Sequence, residues 1–315
     1  MPYQHIEKGL SKTGKALFLQ RLYPALNNIG VETTNDYTQK HDISLHLVNI
    51  KHHTKSKKIV RLDGVYHNTA INYKQQNANI KKSYDVSDAV IYQSNFGQRI
   101  AERYLGVHPG LTEIIYNGAI PKFYDDVPSA PKKHSYNFIT ASRWRPHKRL
   151  QDTIEAFLKA NISDSMLYVA GDISDSGCKI KKYQTCKNIT FLGRINQLEL
   201  ASYFKLCNAS IHLCWTDCCP NSVIEALCAG CHVICGNEGG THELVKPSGG
   251  TVIDIDKTYD LNPVNLYSPP SIDHNLIAEA IINSINNSVC INRNLFSINR
   301  IAQDYSNYFM RLLNE

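Results

Sequence analysis

The sequence predicts an α/β protein made of two doubly wound, Rossmann-like domains, and three observations carry that prediction. Short apolar runs, each ending in a glycine or a small polar turn, alternate with amphipathic stretches of helical period, the pattern of parallel strands and crossover helices. The runs recur on both sides of Pro121–Ser135, a stretch with three prolines and clustered charges, so the pattern divides in two. A chain of 315 residues, 43% of them hydrophobic, has ample apolar material for two cores.

In chain order, Gly9-x4-Gly14-Lys15-Ala16 approaches the phosphate-binding pattern G-x4-G-K-[ST]. Ala16 lacks the hydroxyl that would hold Mg²⁺, and Tyr3–Lys8 is no buried strand, so a loop entering a helix at Ala16–Asn28 is the better reading. Leu17, Leu19, Leu22 and Leu26 form that helix's core stripe. Ile43–Ile50 reads as a strand, and Lys51–Lys58 as a solvated basic turn, with contact to an anionic membrane surface as the alternative. Lys58–Val65 is a strand carrying Asp63-Gly64 at its end, with His67 just beyond, a surface histidine unless it serves a site. Asp88–Ser94 is a strand and Phe96–Leu105 a helix.

The second half opens on strand Tyr136–Ser142 and then Arg143-Trp-Arg-Pro-His-Lys148-Arg149. A helix follows at Asp152–Ala160, strands at Met166–Asp172 and Ile189–Arg194, and a helix at Leu198–Cys207. Ile211–Cys214 is a buried strand and Thr216–Cys219 a tight turn; Pro220 starts a helix that runs Asn221–Ala229 and stops at Gly230. A helix that begins just past a strand's carboxyl end is an anion site, because its first N–H groups, here Asn221, Ser222 and Val223, point outward with the dipole behind them. Glu225 lies one turn along on the same face, placed to accept the hydroxyls of a ribose. By itself it reads equally as a surface glutamate. Ser271–Asn286 and Asn294–Asn314 are closing helices.

The run Asp217-x7-Glu225, with Pro220-Asn221-Ser222-Val223 inside it and Ala226–Gly230 after it, resembles the E-x7-E signature of glycosyltransferase family 4. Cys231–Val245, with Gly239-Gly240, is similar to the family's next strand and Gly-Gly loop, and Arg143–Arg149 to its Gly-Arg-x4-Lys-Gly element. The chain departs from the pattern at Asp217, one methylene shorter than glutamate, and at Ser142 and Arg149, which replace the two glycines. The likeness is close over 136–246, looser over 84–118, and in outline only over 1–80.

The resemblance implies a GT-B fold, two Rossmann-like domains facing a cleft, and a retaining transferase of the hexosyl type (EC 2.4) that works without metal. Its substrates would be a UDP- or GDP-sugar and a glycan, lipid-linked or protein-linked acceptor in glycan biosynthesis. By position, Arg143 and Lys148 would meet the leaving diphosphate, although a solvated charge cluster is the plain alternative for them. Asp217 would meet the donor sugar, as would Asp63 or His67. Gly14 and Lys15 would border the phosphates, Arg194 follows the turn that reads the base, and Pro220, Asn221, Ser222, Val223 and Glu225 would bind the nucleotide. The implied organisation is an N-terminal domain at 1–125, a linker at 126–135, a nucleotide-sugar domain at 136–290, and a closing helix within 291–315 that returns to the first domain.

The net charge of +6 suits phosphate-bearing ligands or peripheral contact with a membrane but is too dispersed for nucleic acid. The opening residues do not resemble a signal peptide and no run reaches the length of a membrane span, so a cytoplasmic location is expected. All ten cysteines lie in the second half. Cys228-x2-Cys231-x3-Cys235 falls within a helix and a strand, where small buried thiols rather than metal ligands are expected. Two rivals stand beside the transferase: a nucleotide-sugar epimerase of the same fold, and a non-catalytic nucleotide-sugar-binding subunit. A Rossmann oxidoreductase is disfavoured, since no G-x-G-x-x-G follows a strand.

Overall fold

The computed structural model describes residues 14–52, 55–255, 259–286 and 290–315. The chain divides into two compact units. One comprises the chain up to Tyr66, Lys74–Ile120 and Phe296–Glu315; the other comprises His67–Tyr73 and Pro121–Leu295. Each is an α/β unit built on a parallel sheet.

In the first unit, α1 (Gly14–Asn28) precedes β1 (Ile43–Leu47) and β2 (Lys57–Leu62); α2 (Tyr73–Asp85) leads to β3 (Ala89–Tyr92), and α3 (Asn95–Leu105) to β4 (Leu111–Ile114). The strands lie in sequential order, β1-β2-β3-β4, all parallel. Both faces are covered, so alternate residues feed different cores. Ile59 and Ile91 pack with Phe18, Leu22 and Leu26 of α1 and with Ile301, Tyr305 and Tyr308 of the C-terminal helix, Ile298–Leu313. Val60, Leu62 and Tyr92 pack instead with Ile80, Tyr84 and Leu105. Arg61 is buried beneath the C-terminal helix: its Nε donates to the Tyr305 hydroxyl at 3.0 Å and its guanidinium lies 4.2 Å from the centre of the Phe18 ring. The stripe expected on α1 shifts accordingly, with Phe18 buried and Leu17 only half-buried.

The second unit begins with α4 (Pro121–Asp126) and continues through β5 (Tyr136–Ala141), α5 (Leu150–Ala160), β6 (Ser165–Ala170), β7 (Ile189–Gly193) and α6 (Gln197–Leu206). Then come β8 (Ala209–His212), α7 (Asn221–Cys228), β9 (His232–Gly236), α8 (Thr241–Ser248), β10 (Thr251–Ile253) and α9 (His274–Asn286). The start of the stretch expected to be linker is therefore helical. Pro121 opens α4 because its fixed φ and missing N–H suit a helix start. Tyr124 is buried, and Lys205 donates to the carbonyls of Asp125 and Val127 at 3.3 and 2.6 Å, holding this segment on α6.

The sheet order is β10-β9-β8-β5-β6-β7, all parallel. Chain order runs outward in opposite directions from the adjacent pair β5 and β8, so this pair is the topological switch point where open α/β sheets bind ligands.

Candidate active site

The β5 and β8 strands are direct neighbours, with Phe138 opposite Ala209 and Ile139 opposite Ser210, so the loops leaving their carboxyl ends emerge side by side. The loop after β5 is shaped by Trp144, whose indole donates to the Ala170 carbonyl at 2.8 Å. Pro146–Lys148 then forms a single 3₁₀ turn, and the Trp215 amide in the loop after β8 donates to the His147 carbonyl at 3.0 Å. That tie between the two loops brings together Lys148 and Asp217, which form an ion pair.

Both partners are largely shielded, with side chains 15% and 22% exposed. Burial by itself would lower the Lys148 pKa, but the Asp217 charge outweighs it and holds the ammonium above its usual value. Burial would likewise raise Asp217, and Lys148 instead brings it below the usual carboxylate range. The pair is thus charged at neutral pH. Asp217 is also fixed from behind: the Gly240 amide donates to its carbonyl at 2.7 Å, and a Cβ on Gly239, at φ 64°, would lie 2.8 Å from that oxygen. Only glycine fits there.

Arg149 adopts left-handed backbone, φ 53° and ψ 45°, which accounts for the glycine of the family pattern at this position. Its guanidinium is fully buried and ion-paired with buried Glu238, the residue before Gly239-Gly240, and it donates to the Pro270 carbonyl at 3.1 Å. This pair was not read from the sequence. Its trace was present all the same: an arginine in a glycine's place and an acid just before the Gly-Gly loop.

The α7 helix starts beside this turn, with Pro220 as its N-cap. The amide of Val223, expected to point outward, is spent on the Pro220 carbonyl at 3.1 Å, because the first turn tightens to an i→i−3 bond. Helix start and turn therefore present Asn221 and Ser222, both half-buried. Glu225 is 8% exposed, which rules out the surface-glutamate reading.

His67 is not on the surface either. It is 7% exposed, its Nε2 lies 3.4 Å from the Thr216 hydroxyl, and its ring is 5.6 Å from that of Tyr259. Backbone bonds of 2.9 Å in both directions with Val264 hold its segment in the second unit. Of the two candidates at that strand end, His67 is grouped with the signature turn, while Asp63 lies in the first unit and pairs with Arg61 and Gln93.

Arg143 is exposed and makes no ion pair among the described residues, so it is not joined to Lys148 as a cluster. Arg194 is 77% exposed and pairs with Asp172 at 2.5 Å at the ends of β7 and β6. The glycine-rich loop expected from Gly9 to a helix start at Ala16 ends sooner: α1 begins at Gly14, so Gly14 and Lys15 are helical, and residues 9–13 lie outside the described residues. Cys228, Cys231 and Cys235 are buried. Among the described residues they are not part of any group with metal-ligand spacing, a group that His212, Cys214 and Asp217 do form.

Two histidines near the pair are kept neutral. Burial, reinforced by Lys148, lowers His212 to about 4 and His147 to about 3. A histidine depressed in the folded state protonates first when unfolded, so stability falls as pH drops below about 6.5. We expect His212 to remove about 1–2 kcal/mol by pH 5. Chemical melts at pH 7 and pH 5 check this: His212→Gln should show a shallower loss than the wild type, and parallel losses would refute the assignment.

Residues 125–261 match the family of glycosyl transferases group 1. The matched region is under half of the chain and contains Lys148, Asp217 and Glu225. No curated protein matches. Among solved structures, the sucrose-phosphate synthase from Thermosynechococcus elongatus is similar at 19% identity and TM-score 0.63, covering 83% of this chain and 69% of that one. Anabaena HepE in complex with UDP is similar at 16% identity and TM-score 0.57, covering 82% and 71%. AviGT4, a glycosyltransferase involved in avilamycin A biosynthesis, is similar at 14% identity and TM-score 0.51, covering 96% and 90%. At these identities the likeness is one of fold, two Rossmann-like domains on parallel sheets. Among the described residues no helix is long and apolar enough to cross a membrane.

Proposed function

We propose that this chain is a glycosyltransferase that moves a sugar from a UDP- or GDP-sugar to an acceptor hydroxyl, with retention and without a metal ion. The observation that carries it is the Lys148–Asp217 ion pair at the switch point of the second sheet, beside the start of α7 and within the region that matches the family. Breaking the bond between sugar and diphosphate leaves about two negative charges on the departing group, and the sugar becomes oxocarbenium-like. A fixed ammonium and a helix start are suited to that charge, since they need no reorganisation as it develops. Lys148 and Arg143 supply cations, Asn221 and Ser222 the helix start, and buried Glu225 a carboxylate for the ribose. Asp217 both orients Lys148 and faces the donor sugar. HepE, of like fold, is known in complex with UDP and with UDP-glucose, which favours a uridine nucleotide as the first donor to try.

Calorimetry against a panel of nucleotide sugars, followed by product analysis with and without acceptor, tests the reading. Product from donor alone would point to the epimerase, and binding without turnover to the binding subunit. Glu225→Ala should weaken binding of the free nucleoside diphosphate by about 1.5–3 kcal/mol, the range for hydrogen bonds to a charged group. Unchanged affinity removes Glu225 from the ribose. Transfer should persist in EDTA, and loss of activity restored by Mn²⁺ would overturn the metal-independent mechanism.

A further inference from the structure

We propose that His212, Cys214 and Asp217 form a site for a thiophilic divalent cation of the Zn²⁺ class, which competes with the Lys148 ammonium. Each offers one ligand atom, and these atoms all lie within 4.8 Å of one another. His212 ends β8 and Cys214 follows two residues on, a spacing that sets both side chains on one side of extended chain. Asp217 is carried back towards them by the turn that Gly240 pins. His212 and Cys214 are 6% and 5% exposed, and His212 Nε2 is buried without a hydrogen-bond partner. A buried polar atom left unpaired is costly, and coordination is one way to satisfy it.

The donor set selects the cation. One imidazole nitrogen, one thiolate and one carboxylate suit Zn²⁺ or Co²⁺ in a tetrahedral site with a fourth position open. Mg²⁺ and Ca²⁺ take shells of oxygen and are excluded by the sulfur. Metal–ligand bonds of 2.0–2.3 Å set tetrahedral ligands roughly 3.5 Å apart, so closing the site needs shifts of about 1 Å.

Charge explains the competition. Lys148 donates to Asp217, so the ammonium holds one of the three ligands. When the cation enters, the thiol gives its proton to solvent as the sulfur–metal bond forms. The two ligand charges then balance the metal, and the displaced ammonium becomes the surplus charge and turns to water. Binding itself does not depend on the proposed transferase activity, although it would remove Lys148 from that chemistry.

Co²⁺ titration of the 315-residue chain, reduced and metal-free, is the test, read by thiolate-to-Co²⁺ charge-transfer absorption with Zn²⁺ as the displacing ion. The wild type should show a band that saturates at one equivalent. Cys214→Ser should abolish it, His212→Phe and Asp217→Asn should each weaken binding at least tenfold, and Cys290→Ser should leave it unchanged. Lys148→Met should tighten binding at least tenfold, because the competing charge is gone. A band that survives in Cys214→Ser, no band in the wild type, or no tightening in Lys148→Met overturns the site. If Cys214→Ser fails to fold, the His212 and Lys148 variants decide it.

Discussion

Asp217→Asn should slow sugar transfer by about 100-fold or more while the nucleoside diphosphate still binds. The asparagine keeps the size of the side chain and loses its charge, so Lys148 is released from its partner. The free ammonium can then hold the diphosphate of substrate and product equally, which is uniform binding and does nothing for the rate. On the proposed mechanism, what is lost is the carboxylate that pairs with Lys148 and would face the developing positive charge on the sugar. Lys148→Ala should also slow transfer by two to three orders of magnitude, but with diphosphate affinity reduced, since a cation has gone. Because the two side chains act as one unit, the double variant should be little slower than the worse single one. Additive losses would show that the ion pair is not the functional unit. Asp217→Glu should not rescue. The turn is packed against Gly239 and the shorter carboxylate already reaches Lys148, so an added methylene pushes the ammonium out of place. Transfer by Asp217→Asn at the wild-type rate would leave the first acid without a role and favour a binding subunit.

The fold was legible because parallel, doubly covered strands leave a strong pattern. The β6 strand, buried at every position, reads as a continuous apolar run from Met166 to Ala170, and the small residues and glycine that end it mark the turn. Lys148 and Asp217 were singled out by resemblance to the family's motifs, since a motif fixes which loop a residue occupies. Their pairing was not, because it depends on which strands are neighbours, and sheet order is not written in local sequence. His67 shows the same limit more sharply. Its neighbours in sequence are polar, so it reads as surface, yet the backbone bonds that bury it come from Val264, nearly 200 positions away. Glu225 and Arg149 mislead for a related reason. Charged residues default to solvent, and a fold that buries them does so with partners remote in sequence. Helix ends were the least legible feature: the tightened first turn of α7 that takes the Val223 amide depends on local hydrogen bonding that residue types do not specify.

The second large effect concerns stability. Breaking the Arg149–Glu238 pair with Glu238→Gln should destabilise the fold by about 3–5 kcal/mol. Both side chains are almost wholly removed from water, so the charge left behind on Arg149 cannot be hydrated and has no anion to balance it. Its partners among the described residues are then neutral oxygens, the carbonyls of Pro270 and Leu213 among them. Arg149→Gly separates two contributions. It relieves left-handed backbone, worth about 1 kcal/mol for a residue with a Cβ, but strands the Glu238 carboxylate in the core. The net change should still be destabilising. Arg149→Gly combined with Glu238→Leu should recover most of the loss, since neither charge remains and the glycine suits its φ, whereas the gap left by the arginine keeps recovery incomplete. Urea melts of the three proteins, with m-values compared to confirm similar unfolding, measure this. The pair also sets the loop that carries Gly239 and Gly240, and through Gly240 the carbonyl of Asp217. Glu238→Gln should therefore lower turnover even at temperatures where it is fully folded. A stable Glu238→Gln with wild-type turnover would show that the buried pair neither holds the fold nor positions the turn.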